Sequence, residues 1–353
     1  MAHLGTVIGR HARDHPDGEA VVFGSRRLTW RELESRVNRI SNALLALGLC
    51  KGDAFAAILP NSLELVELYW AAAKSGLVIV PLSSLLRGPG LLSLLGDAGV
   101  RAVVSCLDMR PVLDEIRAEL PQIEAERWIL IDGEGTPGYA HYRSLATAAS
   151  DVGPEVELMS DDVYNIIYSS GTTGHPKGIV HTHDIRAAYC TTFAAQFRIR
   201  PESVVMHAGS LIFNGALVTF FPSFFLGARY VLLPRFDAPS FLETIGRERV
   251  THMMMVPSQI AAMLDTPGCT QEALASLEML CSVGAPLHRQ HRERLQAVAP
   301  GVLYELYGLT EGFVTVLDRT DYQRKMDSVG PPTFFNEMRI VGADGRDLPP
   351  REV

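Results

Sequence analysis

At 353 residues the chain can bury a large core, and its length points to two or more subdomains. A hydrophobic content of 47%, a charged content of 20% and a net charge of −8 are those of a soluble globular protein and exclude the basic footprint of a nucleic-acid binder. No apolar run is long enough to span a bilayer, and Met1 to His15 is too polar for a signal peptide.

Taken in order, Val21 to Phe23 and Arg27 to Leu28 read as short strands. Thr29 caps a helix, and Glu32 three residues on completes a capping box. Val37, Ile40, Leu44, Leu45 and Leu47 give that helix its apolar face, and Gly48 ends it. A strand over Ala54 to Leu59 follows. Asn61 and Glu64 repeat the capping signature before a helix over Leu65 to Ala73, which Gly76 stops. Strands at Leu77 to Pro81, Ala102 to Cys106 and Trp128 to Ile131 alternate with helices at Leu91 to Asp97 and Pro111 to Leu120. The acidic, loop-like stretch 149–162 is the expected seam between subdomains, placed near 150–162.

Beyond the strand Val163 to Tyr168 the alternation resumes. Helices are expected at Ile185 to Phe197, Gly215 to Leu226, Ala238 to Glu248, Pro257 to Leu264 and His288 to Val298. Strands are expected at Val204 to Ala208, Ala228 to Leu233, His252 to Val256, Leu277 to Val283 and Leu303 to Tyr307. The pattern is that of an α/β protein with two α/β subdomains and mostly parallel sheets. Phe313 to Leu317 and Glu337 to Val341 read as strands with no helix between them, and Asp344-Gly345 as a hairpin turn. On this reading residues 1–325 are the large domain. Residues 326–353 open a small β-rich, barrel-like subdomain that the chain leaves unfinished.

The densest signal is Tyr168-Ser169-Ser170-Gly171-Thr172-Thr173-Gly174-His175-Pro176-Lys177-Gly178. It packs hydroxyls, glycines and one of the chain's four lysines behind an apolar strand. Glycines let backbone N–H groups turn inward as an anion-binding nest; hydroxyls add donors and Lys177 a point charge. That composition suits a polyphosphate better than an ordinary Ser/Gly surface turn. A Walker A loop ends in Gly-Lys-Ser/Thr and runs into a helix. Here Pro176 precedes the lysine, and Ile179 to His183 alternates as a strand does, so the loop lies between two strands.

Three more stretches are candidate site segments. Ser282-Val283-Gly284-Ala285-Pro286-Leu287 ends a strand in small residues over which a flat ring could lie, although Pro near a helix start is also a common turn device. Glu305-Leu306-Tyr307-Gly308-Leu309-Thr310-Glu311 ends another strand, and strand carboxyl ends are where open α/β sheets bind ligands. Tyr307 offers a stacking face, and Thr310 and Glu311 offer hard oxygens of the kind Mg²⁺ takes near phosphates; alone, Thr-Glu is more often a solvated turn. His207 to Gly215 enters an apolar helix, as a pocket wall or simply as core. His181 and His183 share a face of a presumed strand, yet no third ligand stands near them in sequence. The five cysteines, Cys50, Cys106, Cys190, Cys269 and Cys281, form no Cys-x-x-Cys pair and read as reduced thiols of a cytoplasmic protein.

On the loop 168–178, the 282–287 stretch, Tyr307-Gly308-Leu309-Thr310-Glu311 and Asp327-Ser328-Val329-Gly330-Pro331, in that order, the chain resembles the large N-terminal domain of the adenylate-forming superfamily. That superfamily holds acyl-CoA synthetases, 4-coumarate–CoA ligase, luciferase and peptide-synthetase adenylation domains. The resemblance implies a carboxylate attacking ATP to give acyl-adenylate and pyrophosphate, then a thiol, usually of coenzyme A, displacing AMP. It implies that Ser169, Ser170, Gly171, Thr172, Thr173, Gly174 and Lys177 cradle the β/γ phosphates. Gly284, Ala285, Pro286 and Tyr307 would flank the adenine, with Glu305, Leu306 and Gly308 beside it. Thr310 would meet the α-phosphate, and Glu311 would hold Mg²⁺. Lys177, Thr310 and Glu311 are thus the implied catalytic set. Phe213, Asn214, Gly215, Gly284, Leu306 and Gly308 are the implied acyl-site residues. Asn214 stands where many acyl-CoA ligases carry histidine, and Leu306 where glycine is frequent in those taking aromatic acids.

The expected partners are therefore a small apolar carboxylic acid, ATP and CoA, with a homodimer as one assembly. Members of the superfamily continue into a Thr-Gly-Asp motif and a small C-terminal domain with a catalytic lysine; neither is in this sequence. The expectation is a large domain that binds ATP or acyl-adenylate and adenylates poorly by itself. A luciferase-like or peptide-synthetase activity, a thioester-forming half-reaction alone, or non-catalytic adenylate binding are the alternatives.

Overall fold

The computed structural model describes residues 3–169 and 176–349. Strands β1 (Glu19–Phe23) and β2 (Arg26–Thr29) form an antiparallel pair. A seven-stranded sheet follows from β3 (Ala54–Ile58), β4 (Val78–Leu82), β5 (Ala102–Ser105), β6 (Trp128–Leu130), β7 (Ala140–His141), β8 (Val163–Ser169) and β9 (Lys177–Thr182), in the order β7-β6-β5-β3-β4-β8-β9. The later strands are β10 (Val204–His207), β11 (Arg229–Leu232), β12 (His252–Met255), β13 (Met279–Val283), β14 (Leu303–Gly308) and β15 (Val314–Leu317). With β1 and β2 they build an eight-stranded sheet, β15-β14-β13-β12-β10-β11-β1-β2.

Pairing is parallel except at three edges: β1–β2, β8–β9 and β14–β15. Strands such as Ala54–Ile58 and Val78–Leu82 are buried along their whole length, as unbroken apolar runs require when both faces of a parallel sheet are covered. The chain passes from the larger sheet to the smaller after β2 and back again after β9. The loop 149–162 lies between strands of a single sheet, because β8 pairs with β4. That loop is held by side-chain bonds from Asn38, Arg39, Asn42 and Lys51 to its carbonyls.

Helices Leu63–Ser75, His183–Phe197 and Asn214–Leu226 lie between the sheets. Phe221 meets Tyr164 of β8, while Phe220 meets Tyr230 of β11, so one helix packs on both. A helix apolar on all sides is stable only when enclosed in this way. A second core covers the outer face of the larger sheet with Phe241, Ile245, Ile260, Met263 and Leu295.

Most local signals act as the sequence reading has them. Thr29 and Glu32 form a reciprocal capping box, and Gly76 ends its helix at φ 69°. The second capping signature differs. Ser62 is the N-cap, accepting from the Leu65 N–H at 3.1 Å. Asn61 instead joins the two sheets. Its Nδ2 donates to the Gly209 and Leu233 carbonyls at 2.7 and 2.9 Å, and its Oδ1 accepts from the Leu211 N–H at 2.9 Å. The strand expected at Glu337 to Val341 is reduced to a bridge between Val341 and Asp347 around a turn at Gly345. Met338, Ile340 and Val341 are exposed, with no covered face to reward a longer ladder. Nothing in the sequence pattern announces the helix Tyr142–Ala148; the Tyr142 hydroxyl anchors it by donating to buried Glu67.

Candidate active site

Two of the edge hairpins converge. The first, β8–β9, pairs Ser169 with Lys177 at the base of the glycine-rich loop. Ser170, Gly171, Thr172, Thr173 and Gly174 lie outside the described residues. Lys177 is exposed. The second hairpin, β14–β15, carries Thr310 and Glu311 at its tip. The Leu309 N–H donates to the Phe313 carbonyl at 2.9 Å, and the Gly312 N–H to the Leu309 carbonyl at 3.1 Å. Gly308 must be glycine at this crossing: a Cβ would press into the Phe313 carbonyl oxygen and lie 3.2 Å from Val314 Cα.

What joins the hairpins is His181 of β9, whose Nε2 donates to the Thr310 carbonyl at 2.8 Å. The tautomer follows from its other partner. Arg186 NH2 approaches Nδ1 at 3.3 Å, and a guanidinium only donates, so Nδ1 accepts and Nε2 carries the proton. Burial, reinforced by the Arg186 charge, pushes the imidazole down to about 3, so it is neutral at ordinary pH.

Asn214 begins its helix and is oriented by the same logic. Arg186 NH1 donates to its Oδ1 at 2.8 Å, which turns its Nδ2 toward the Tyr189 hydroxyl at 3.1 Å and, more distantly, the Thr310 carbonyl at 3.5 Å. Arg186 Nε donates to Asn165 Oδ1 at 2.8 Å. Asn165, His181, Arg186, Tyr189 and Asn214 thus form one buried polar cluster behind Thr310. Of these, sequence reasoning singled out Asn214 and considered His181 only as a metal ligand. Arg186 carried a readable signal, since it stands on the apolar stripe Arg186, Tyr189, Cys190, Phe193, Phe197 of its helix.

Glu311 is exposed at the hairpin tip and lines a cavity of about 350 Å³ with Tyr189, Phe313 and Phe335. Its open carboxylate and the neighbouring Thr310 hydroxyl are donors of the hard-oxygen type. The paired-histidine metal reading does not survive. His183 is the first residue of a helix, and its Nδ1 accepts from the Leu4 N–H at 3.3 Å. Among the described residues no group of three or more metal-binding side chains converges.

Strand register brings the third and fourth segments together. Ser282 opposes Glu305 and Val283 opposes Leu306, so the exposed turn Gly284-Ala285-Pro286, with Gly284 at φ 91°, leaves the sheet beside Tyr307 and Gly308. Tyr307 is 53% exposed, with its ring 6.3 Å from Phe313. Glu305 pairs with Arg292, whose NH2 donates to Oε2 at 2.9 Å while Nε lies 2.8 Å from Oε1 as a charge contact. Burial pushes this carboxyl up, against the pull of Arg292. Gly215 faces Met254 and Val283, and the Gly284 Cα side faces Val256. Phe213, 60% exposed, lines a cavity of about 410 Å³ with Leu59, Asn61, Gly209, Phe236 and Gln259. The Gly284 turn, Tyr307-Gly308 and the stretch Gly209 to Phe213 thus stand at or beyond the carboxyl ends of β13, β14 and β10. A larger cavity of about 740 Å³ sits at the opposite strand ends, beside His11, Trp30, Ser203 and Arg229, and contains none of them.

Comparison with known proteins agrees with this architecture. The family model described as "AMP-binding enzyme" matches residues 8–353. The chain is 32% identical over 350 residues to the long-chain-fatty-acid–CoA ligase FadD13 of Mycobacterium tuberculosis, covering 98% of this chain and 68% of the relative. It is 31% identical over 357 residues to a feruloyl-CoA synthase of an Amycolatopsis species, covering 99% and 68%. The crystal structure of the inhibitor-bound N-terminal domain of FACL13 from M. tuberculosis superimposes with a TM-score of 0.86 at 29% identity, covering 99% of this chain and 86% of that one. With the family model and the ligase relatives both running along nearly its whole length, this protein belongs to the AMP-binding enzyme family, among the acyl-CoA ligases.

Proposed function

We propose that the chain activates an apolar carboxylic acid with ATP and passes the acyl group to coenzyme A. The observation that carries this reading is the 2.8 Å bond from His181 to the Thr310 carbonyl, which locks the hairpin of the glycine-rich loop to the hairpin of Thr310 and Glu311. A phosphate chain held by the first then has its α-phosphorus beside the second. The substrate carboxylate oxygen attacks that phosphorus, and the bond to the bridging oxygen of pyrophosphate breaks. In the second step the thiolate of CoA attacks the acyl carbon of the mixed anhydride and AMP departs.

The protein's contribution is alignment and charge, since phosphoryl and adenylyl transfer need little covalent help. Ser169, Lys177 and the loop residues between them hold the departing pyrophosphate. Thr310 donates to the α-phosphate. Gly284, Ala285, Pro286 and Tyr307 bracket the adenine. Glu305 and the Leu306 and Gly308 backbone border the nucleotide, with Glu305 held through Arg292. Glu311 and the phosphates would hold Mg²⁺, which neutralises phosphate charge. Lys177, Thr310 and Glu311 form the catalytic set.

The acyl chain lies along Phe213, Asn214, Gly215, Gly284 and Leu306. The apolar lining by Phe213, Leu59 and Phe236 favours an uncharged acyl group. The named activities of the relatives, on long-chain fatty and feruloyl acids, fit that choice. Residues 1–325 serve as the AMP-binding large domain.

The test is carboxylate-dependent exchange of pyrophosphate into ATP, and acyl-CoA formation, over a panel of fatty, aryl and alicyclic acids. Turnover with an apolar acid is the expected result. Thioester formation from preformed acyl-adenylate without any exchange would reassign the chain to the second half-reaction. Amino-acid-dependent exchange would overturn the substrate class.

A further inference from the structure

The buried cluster holds a cation that the reaction described so far does not use. Arg186 is fully buried, yet no carboxylate pairs with it among the described residues. Its hydrogen-bond partners are the neutral oxygens of Asn165 and Asn214 and the neutral Nδ1 of His181. Its guanidinium carbon lies 4.7 Å from the Tyr189 ring centroid and 5.4 Å from that of Phe221, and both ring faces are negative. These contacts give each guanidinium nitrogen a partner without cancelling the charge. An unpaired buried charge is among the costliest features a fold can hold. Among the described residues the other buried ions of the core, Glu67, Glu248 and Arg127, each have an opposite partner, Arg36 at 2.6 Å, Arg27 at 2.7 Å and Glu124 at 3.2 Å.

We propose that Arg186 is a positioning residue that supplies fixed positive potential to the anion at Thr310, acting through Asn214 and His181. This rests on the reading of Thr310 as the α-phosphate contact. The two intermediaries both reach the Thr310 carbonyl, and both are oriented by Arg186 because it can only donate. Their dipoles are therefore aligned away from the guanidinium, with N–H ends toward the site. Burial of the cluster away from water lets the charge act across it with little screening. Arg186 also fixes where the Thr310 carbonyl points, and hence where the Thr310 hydroxyl and Glu311 are presented. The ligand it favours is an anionic adenylate oxygen rather than the nucleoside.

Binding of AMP and of adenosine to the whole chain, measured by calorimetry for the native protein, Arg186→Gln and Arg186→Lys, tests this. Arg186→Gln keeps an amide donor and removes the charge; it is expected to weaken AMP about tenfold while adenosine changes less than about twofold. Arg186→Lys is expected to restore most of the AMP preference. Equal loss for both ligands in folded variants, or no loss, would overturn the proposal. The native protein provides an arm that needs no variant. A buried charge is not screened by salt whereas exposed Lys177 is, so a clear preference for AMP over adenosine is expected to persist in 1 M salt. Its disappearance there would assign the preference to exposed charges and refute the role of Arg186. Failure of the native protein to bind AMP under any condition would instead defeat the reading of the site itself.

Discussion

Gly308 shows how little freedom the candidate site has at single positions. The two strands of the second hairpin cross so closely there that any side chain meets the Phe313 carbonyl and the Val314 backbone. Neither obstacle is the end of a flexible side chain, so the hairpin itself must open. Gly308→Ala is expected to cost about 1–3 kcal/mol of stability and to lower pyrophosphate exchange by at least about tenfold, because Thr310 and Glu311 move with the tip. A denaturation midpoint and an exchange assay on one preparation check both. Lys177 is the opposite case. It is exposed at the start of β9. Lys177→Ala is expected to leave the melting temperature unchanged and raise the KM for ATP about tenfold, the worth of one charged hydrogen bond. A fall in stability with no change in KM would remove it from the phosphate site.

At the scale of elements, caps and cross-links divide the work. The Thr29–Glu32 box stabilises only the start of its own helix, on the surface far from the site. Thr29→Ala is expected to cost about 1 kcal/mol with exchange activity intact. Asn61 is a tie between elements rather than within one. It satisfies two carbonyls and one N–H on segments following β10 and β11, from a position just after β3. Asn61→Ala strands one buried backbone N–H and two part-buried carbonyls and is expected to cost about 2 kcal/mol. Because those segments border the cavity at Phe213, acid specificity should shift as well, visible in the relative rates over the carboxylic-acid panel. An unchanged acid profile would show that the loop His207 to Phe213 keeps its shape without the tie.

Across the whole molecule the buried histidines set the response to acid. Burial pushes His181 down to about 3 and His183, His207 and His252 down to about 4, from an ordinary 6.5. Below pH 6.5 the unfolded chain takes up protons on these rings and the folded chain does not, so folding stability drops as pH falls. The window runs from about pH 6.5 to 4, and each ring contributes up to about 1.4 kcal/mol per pH unit within it. Buried Glu67, whose carboxyl is pushed up, works in the other direction and softens the slope. The melting temperature is expected to decline steadily from pH 7 to pH 5, and His207→Leu to flatten the decline by removing one titrating group. A flat profile over that range would mean that these rings are protonated inside the fold.

The α/β class, nearly every strand and the strand–loop–strand setting of residues 168–178 were legible in the sequence, because parallel strands, capped helices and glycine stops are written locally. The order of the motifs was legible too, as was the turn character of Leu309 to Gly312. Asn61 misled because an Asx residue before a helix has the same local pattern whether it caps that helix or reaches elsewhere; only the nearness of Gly209 and Leu233 decided it. Glu337 to Val341 misled because strand propensity does not supply a strand partner. For Arg186 the sequence holds half of the answer. Its place on the apolar stripe of its helix marks it as inward-facing, but what it meets there was decided by the tertiary structure alone. In the fold its helix is enclosed between two sheets, which removes water from the guanidinium and forces it onto Asn165, His181 and Asn214. Local sequence specified the strands of the two hairpins, and the tertiary structure brought Thr310 against His181 of the strand that follows the glycine-rich loop.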